Sequence, residues 1–335
     1  MPIQAPRALA AAQRAFKRDF RALRTATAQQ ARMVLLSAAR LDGTIPADNL
    51  TPVQERIGRM ISAEYVVGRN AFAQDGVTAL SPYARLLNAG IASVTRAVVH
   101  SHHVWLQRNV PEDVYRWLLS GQGMVSEQFH PNPLADYDTA HTFVDPNGYI
   151  LSDRIWQVNV RARVQVDQLL AEGIRRGDSA VNIAKRLEQF MVPGRAKIRT
   201  RTPYGNDGSY DARRLARTEI TAAHGRAMIV SAKANPYVET IDWVLSPSHP
   251  EIDICDDLAA GSPYALDSVP SYPAHPHDLC HLRSNTRPTA EVTEELRAMI
   301  AANEPPPYAT PASERSFLFL LLGALALLDV DLTRN

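Results

Sequence analysis

Residues 6–40 read PRALAAAQRAFKRDFRALRTATAQQARMVLLSAAR, a stretch dominated by Ala, Arg, Gln and Leu, with no Gly and with Pro only at its first position. That composition predicts a single long helix, roughly 50 Å from end to end at 1.5 Å per residue. Its apolar residues Leu9, Phe16, Phe20 and Leu23 recur at spacings of three, four or seven. They form one stripe for a packing partner, with a basic face opposite. Asp42-Gly43 ends the run.

The same signals recur downstream. Pro52, Pro82 and Pro111 follow Thr, Ser and Val and suit a first helical turn, predicting helices over residues 52–70, 82–108 and 111–119. Residues 121–150, broken by Pro131, Pro133, Pro146 and Gly148, read as a connector. Helix returns over residues 151–233, with Ser152 or Asp153 as a cap. Ile183, Leu187, Phe190 and Met191 form an apolar face behind Asp178, and residues 193–210 read as a basic loop. A β signal comes late, where Ile241, Trp243 and Leu245 alternate with Asp242 and Val244 between Pro236 and Pro247. Residues 236–288 therefore read as a loop-rich α+β element containing one short helix that Asp253 can cap and Gly261 can end. A last helix over residues 289–303 precedes the stiff spacer Glu304-Pro305-Pro306-Pro307. The expectation is a mainly α protein in four parts: an N-terminal helical region (1–120), a connector (121–150), a central domain (151–290), and a C-terminal helix with spacer and apolar arm (291–335).

At 335 residues, 45% hydrophobic and 21% charged, the chain is an ordinary globular one and long enough for two or three packed units. The net charge of +1 hides strong segregation. Residues 1–40 carry eight Lys/Arg against one acid, 41–150 seven against eleven, 151–235 sixteen against eight, and 236–335 five against fifteen. Such asymmetry suits contact with partners of differing charge, nucleic acid among them, and is equally compatible with solvated helix faces. Two cysteines, Cys255 and Cys280, are too few for a disulfide scaffold and fit a reducing compartment. The N-terminal stretch is Arg-rich but lacks the apolar core of a secretory signal. Residues 317–328 are all apolar or Gly, yet twelve residues fall short of the ~20 a membrane span needs. They are expected to be a buried or partner-covered arm.

Several stretches taken in order carry a resemblance. Leu151-Ser152-Asp153-Arg154-Ile155-Trp156 opens the central domain; Tyr210-Asp211-Ala212-Arg213-Arg214-Leu215-Ala216-Arg217-Thr218-Glu219 leads through Ala222 and Ala223 to Trp243 and Cys255, then to Pro273-Ala274-His275-Pro276 and Cys280-His281. Over about residues 145–288 this order resembles the Mu F-like family of phage minor head (head morphogenesis) proteins. The resemblance implies a protein present in few copies, associated with the portal and the capsid interior, sometimes binding DNA and influencing its ejection. The family often shows a Cys-x-x-Cys pair and a His-Pro-x-Cys-Arg-Cys-like end. Here Leu258 stands at the second position of the pair and the end reads His275-Pro276-His277-Asp278-Leu279-Cys280-His281, leaving two thiolates at most.

Those residues suggest specific roles. Cys255, Cys280 and His275, with one of His249, His277 or His281, could supply the four N/S ligands of zinc, and His281 is the fourth member of the expected set. Two buried free thiols with no cofactor are the first reading, zinc is the alternative, and a disulfide is disfavoured. His281 and Asn285 carry a weak likeness to a His-Asn-His nuclease, but no paired histidines are placed to activate water. Glu219 falls in a stripe with Ala212, Leu215, Ala216, Ala223 and Val230 and is expected to be buried in a structural ion pair, with Arg154 as the candidate partner. His100, His102 and His103 are expected on a polar helix face. Lys185, Arg186, Arg195, Lys197, Arg199 and Arg201 could hold DNA without sequence preference, the last four from the basic loop, or an acidic protein surface instead.

The reading is a structural, non-enzymatic head protein with the portal, and the major capsid or scaffold protein, as partners. It would stand in several copies around the portal inside the virion, after assembly in the host cytoplasm. The alternatives are a metal-dependent DNA-processing enzyme and an ejected protein that contacts the host envelope.

Overall fold

Where the sequence predicts one long helix, helix α1 spans Pro6–Ala38. The computed structural model describes residues 6–65, 81–120, 151–192, 209–247, 249, 252–276 and 278–304. After α1 come a short 3-10 turn (Ala47–Asn49), α2 (Leu50–Tyr65), α3 (Pro82–Asn109), α4 (Glu112–Ser120), α5 (Leu151–Arg175), α6 (Ala180–Met191) and α7 (Tyr210–Ala234). The C-terminal part adds β1 (Val238–Val244), α8 (Ile254–Ala260), β2 (Tyr264–Ala265), β3 (His281–Thr286) and α9 (Thr289–Ala301). The architecture is mainly helical, with a small antiparallel sheet near the C-terminal helix. Among the described residues no helix is long and apolar enough to cross a membrane. The connector 121–150, the basic loop through residue 208 and the arm 317–328 lie outside the described residues.

The chain divides into two compact units. The first comprises Arg14–Leu87 and His141–Ala216. Its core is built on an aromatic cluster in which Phe20 stacks on Phe16 at 5.5 Å and meets Tyr83 edge-on at 5.6 Å, while Tyr65 lies 5.1 Å from Tyr83. Such offset and edge geometries add to the burial energy of the rings. The Tyr83 hydroxyl donates to the Ala212 carbonyl at 2.7 Å, so its polar tip is satisfied inside the core. Along α1 the next fully buried position after Phe20 is Arg24, four residues on, and not Leu23, which is half-buried. Arg24 pairs with Glu64 of α2 at 2.6 Å and its Nε donates to the Met191 carbonyl at 3.3 Å. The sequence reading gave that slot on the stripe to Leu23 and missed the buried pair.

Helix α5 ends on Gly177, whose φ of +72° lies in the left-handed region that favours Gly. Asp178 N donates to the Gly173 carbonyl and Gly177 N to the Ile174 carbonyl, each at 3.0 Å, the two bonds of a Schellman motif. Ser179 then caps α6 by accepting from Asn182 N. The turn folds α6 back on α5, burying Ile183, Leu187 and Met191, while Phe190 is only half-buried.

The second unit comprises Met1–Gln13, Asn88–Ala140 and Arg217–Asn335. β1 is the centre of its sheet, flanked by β2 and β3, both antiparallel to it. Trp243 faces Leu282 and Ile241 faces Ser284 across the β1–β3 ladder. These four are buried and join Trp105, Val114, Met228, Tyr237 and Leu296 in or beside the core between sheet and helices. On the other side of the ladder Asp242 accepts from Arg283 at 2.6 Å and from Asn285 at 2.7 Å. The sequence predicted β1 and missed its neighbours. β2 has two residues, and the inward positions of β3 include a polar Ser, so neither shows the apolar alternation that marks a strand. Gly225 of α7 lies under the Tyr272 ring so closely that a Cβ would overlap it.

Of the three α3 histidines, only His100 is exposed. His103 is half-buried with Nε2 3.2 Å from the Tyr115 hydroxyl, and His102 is 1% exposed. The expected polar face is corrected at His102, where the helix surface is covered by core. Burial pushes its imidazole down to about 3, since a charge in that position would lose its hydration.

Candidate metal centre

The short helix α8 sets the first ligand candidate. Asp253 sits in extended backbone at its N-cap, its carboxylate accepts from Cys255 N at 2.7 Å, and Asp256 Oδ2 accepts from Asp253 N at 2.9 Å. This reciprocal box satisfies donors that a helix start leaves open. It also fixes Cys255 in the first turn, where the residue is fully buried.

A second carboxylate shapes the loop before β3. Asp278, 2% exposed, accepts from Ala274 N at 3.1 Å through Oδ2 and from Cys280 N at 2.9 Å through Oδ1. It thereby folds residues 274–280 around itself and brings fully buried Cys280 beside Cys255. The two sulfurs and a carboxylate oxygen of Asp278 lie within 4.8 Å of one another. Tyr272 closes the floor, its hydroxyl donating to the Cys280 carbonyl at 2.7 Å and its ring meeting Trp243 edge-on.

Two histidines stand at the sulfurs. His275 Nε2 is 3.4 Å from Cys255 Sγ, and His249 Nδ1 is 3.9 Å from Cys280 Sγ. The remaining ring nitrogens are held by oxygens, His249 Nε2 by Asp256 Oδ2 at 2.9 Å and His275 Nδ1 by the Pro276 carbonyl at 3.1 Å. Asp253 Oδ2 also lies 3.2 Å from His275 Nε2. Burial, with the nearby Asp278 carboxylate, pushes the Cys255 thiol well up, and burial also raises Cys280. The hydrogen bond to Asp256 raises His249 against the opposing effect of burial. Asp256 is lowered first by the Asp253 N–H and then by His249.

The structure thus brings Cys255, Cys280 and His275 into one neighbourhood with His249. His281 does not join it: among the described residues, each group of candidate ligand atoms within 4.8 Å omits His281. Successive side chains of an extended strand point to opposite faces, so Cys280 and His281 diverge at the start of β3. His281 shares its face with Arg283 and Asn285, and burial followed by the Arg283 charge lowers it. Asn285, the other half of the nuclease likeness, is committed to Asp242 and Thr240. His277 lies outside the described residues. Sequence reasoning read Asp253 as the α8 cap but missed Asp256 and Asp278 as organisers of the site; the Asp253-x-x-Asp256 capping-box spacing was the available signal for Asp256.

The other expected site residues lie elsewhere. Glu219 is 2% exposed on α7 in the second unit, with Ala216 and Ala223 buried on the same helix and Val230 exposed. Arg154 is half-buried in the first turns of α5, in the first unit. Arg186 faces Asp178 at 2.9 Å and Glu172 at 3.6 Å. Arg195, Lys197, Arg199 and Arg201 lie outside the described residues.

No protein-family model matches this chain, and neither a curated protein nor a solved structure does.

Proposed function

We propose that this chain is a structural head protein of a tailed phage, associated with the portal and the capsid interior and acting in head morphogenesis, with a part in DNA packaging or ejection. The observation that carries the proposal is the order of the stretches from Leu151 to His281, which resembles Mu F-like minor head proteins. Its partners are the portal and the major capsid or scaffold protein, met in the host cytoplasm and then in the virion, with several copies around the portal. An assembly role is supported by α5, where Trp156, Val160 and Val164 recur every four residues and are 55%, 42% and 49% exposed. An apolar stripe of that kind suits a protein neighbour.

Any contact with DNA falls to the basic loop together with helix cations such as exposed Lys185, whereas Arg176 already meets Glu172 and Asp178 and Arg186 meets Asp178. Phosphate contacts of that kind are independent of sequence and give log affinity a slope near −0.9 per neutralised phosphate against log salt. Replacing Arg195, Lys197, Arg199 and Arg201 together flattens the slope; an unchanged slope assigns them to a protein partner or to solvent.

Quantitative mass spectrometry of purified particles tests the main reading. The chain is expected in few copies per particle and in complexes captured with the portal protein. Absence from particles overturns the proposal. So does cutting of DNA by the purified chain with Mg²⁺, Mn²⁺ or Zn²⁺ that His275→Ala abolishes, since that outcome makes the chain a DNA-processing enzyme.

A further inference from the structure

We propose that Cys255, Cys280, His249 and His275 form a structural zinc site that cross-links the segment between β1 and β3. The donors run in sequence: His249 Nδ1 lies 3.9 Å from Cys280 Sγ, Cys280 and Cys255 Sγ lie within 4.8 Å of each other, and Cys255 Sγ lies 3.4 Å from His275 Nε2. A tetrahedral zinc with bonds of about 2.0–2.3 Å places its donors about 3.3–3.8 Å apart. The two sulfur–nitrogen edges stand close to that range, and small side-chain rotations about the ion bring in the rest.

The outer contacts point the same way. An imidazole that ligates a metal through one nitrogen usually donates its other N–H to a carboxylate or a backbone carbonyl, which fixes its tautomer and aim. Both histidines have this arrangement, His249 toward Asp256 at 2.9 Å and His275 toward the Pro276 carbonyl at 3.1 Å. Asp278 is the loop former here, since each of its oxygens already accepts a backbone N–H. Asp253 Oδ2 is the competing donor at His275 Nε2, but its other oxygen is spent on the α8 cap.

The segment has the need for such a link. Among the described residues between β1 and β3 the regular structure is a seven-residue helix and a two-residue strand. Where a segment has so little regular structure of its own, the free energy of metal binding adds to the free energy of folding. Two thiolates and two imidazoles select zinc over oxygen-seeking cations such as Mg²⁺ or Ca²⁺. Four protein donors close the tetrahedron, so the site holds structure and leaves no position for water or substrate.

The test is metal analysis of the full chain, untagged and purified from zinc-supplemented cells. One zinc per chain is expected, falling to background in Cys255→Ser and Cys280→Ser and reduced in His249→Asn and His275→Asn. His281→Asn and Asp253→Asn are expected to keep it. Because the cysteine variants can fail to fold, unaltered protein stripped by a chelator is titrated with Co²⁺. The intense visible bands of tetrahedral Co²⁺ with a sulfur charge-transfer band are expected, bleached by added Zn²⁺. Asp256→Asn should weaken zinc about 10–100-fold in competition with a chromophoric chelator. Absence of stoichiometric zinc together with an octahedral Co²⁺ spectrum overturns the site. Full zinc in His249→Asn with loss in His281→Asn or Asp253→Asn overturns this ligand set. None of these readouts depends on whether the chain enters a particle.

Discussion

Replacing Glu64 tests whether the buried pair in the first unit holds its helices together. Arg24 and Glu64 meet at 2.6 Å with side chains 0% and 3% exposed, and Arg24 also reaches the Met191 carbonyl at the end of α6. The pair therefore joins α1, α2 and α6 through one guanidinium. Glu64→Ala leaves that guanidinium buried beside a cavity, and removing one partner of a buried pair costs about 3–5 kcal/mol, because the remaining charge loses both its hydration and its counter-ion. Replacing both residues together, as Arg24→Met with Glu64→Leu, removes the charges and fills their volume, and should recover most or all of the loss. Denaturant unfolding followed by circular dichroism measures the effect through the shift of the midpoint at unchanged slope. Arg116→Ala serves as the control: its contact with Glu112 is exposed on α4, and its removal should leave stability unchanged within error. A Glu64→Ala midpoint that moves no further than the Arg116→Ala midpoint would refute the reasoning, as would a double variant no more stable than Glu64→Ala.

Other predictions concern the second unit. His102 is held neutral in the folded chain, its pKa pushed down to about 3 by burial, whereas the unfolded chain binds a proton near 6.5. Its contribution is therefore fully present above pH 6.5 and lost as pH falls toward 3, about 2 kcal/mol by pH 5; comparison with His102→Leu at pH 7.5 and pH 5 should isolate that loss, and equal pH dependence in the two proteins would contradict it. Gly225→Ala would place a Cβ against the Tyr272 ring, and overpacking of this kind typically costs about 1–3 kcal/mol. In a Tyr272→Ala background the same change should be neutral or stabilising, because Ala is the better helix former; a penalty that persists there locates the strain elsewhere. Glu219→Ala should cost about 3–5 kcal/mol by stranding the groups that hold this buried carboxylate, and an unchanged melting temperature would show that the carboxylate is not held.

The helices and their ends were decided locally, and so were legible. Pro82 opens α3, Asp253 and Gly261 bound α8, and the Ala- and Arg-rich run 6–40 yields α1 to within two residues at its end, since caps, breakers and propensity act over a few residues. β1 was legible for the same reason, its buried Ile241 and Trp243 alternating with less buried neighbours. The sequence also marked Cys255, His275 and Cys280 as ligand candidates, because few side chains bind soft metals. What it could not decide was which groups meet. Arg24 carries the sequence signature of a solvated cation and is buried where Glu64 and the Met191 carbonyl arrive from other helices to meet it. β3 has too little apolar content to announce itself and is a strand because β1 offers it a ladder and Asp242 ties down Arg283 and Asn285. His249 displaces His281 at the sulfurs for a reason of direction: neighbours on an extended strand point apart, while Asp256, seven residues from His249, turns that imidazole toward Cys280. Burial of polar groups and the company they keep are long-range properties, set by which surfaces the packed helices and sheet bring together.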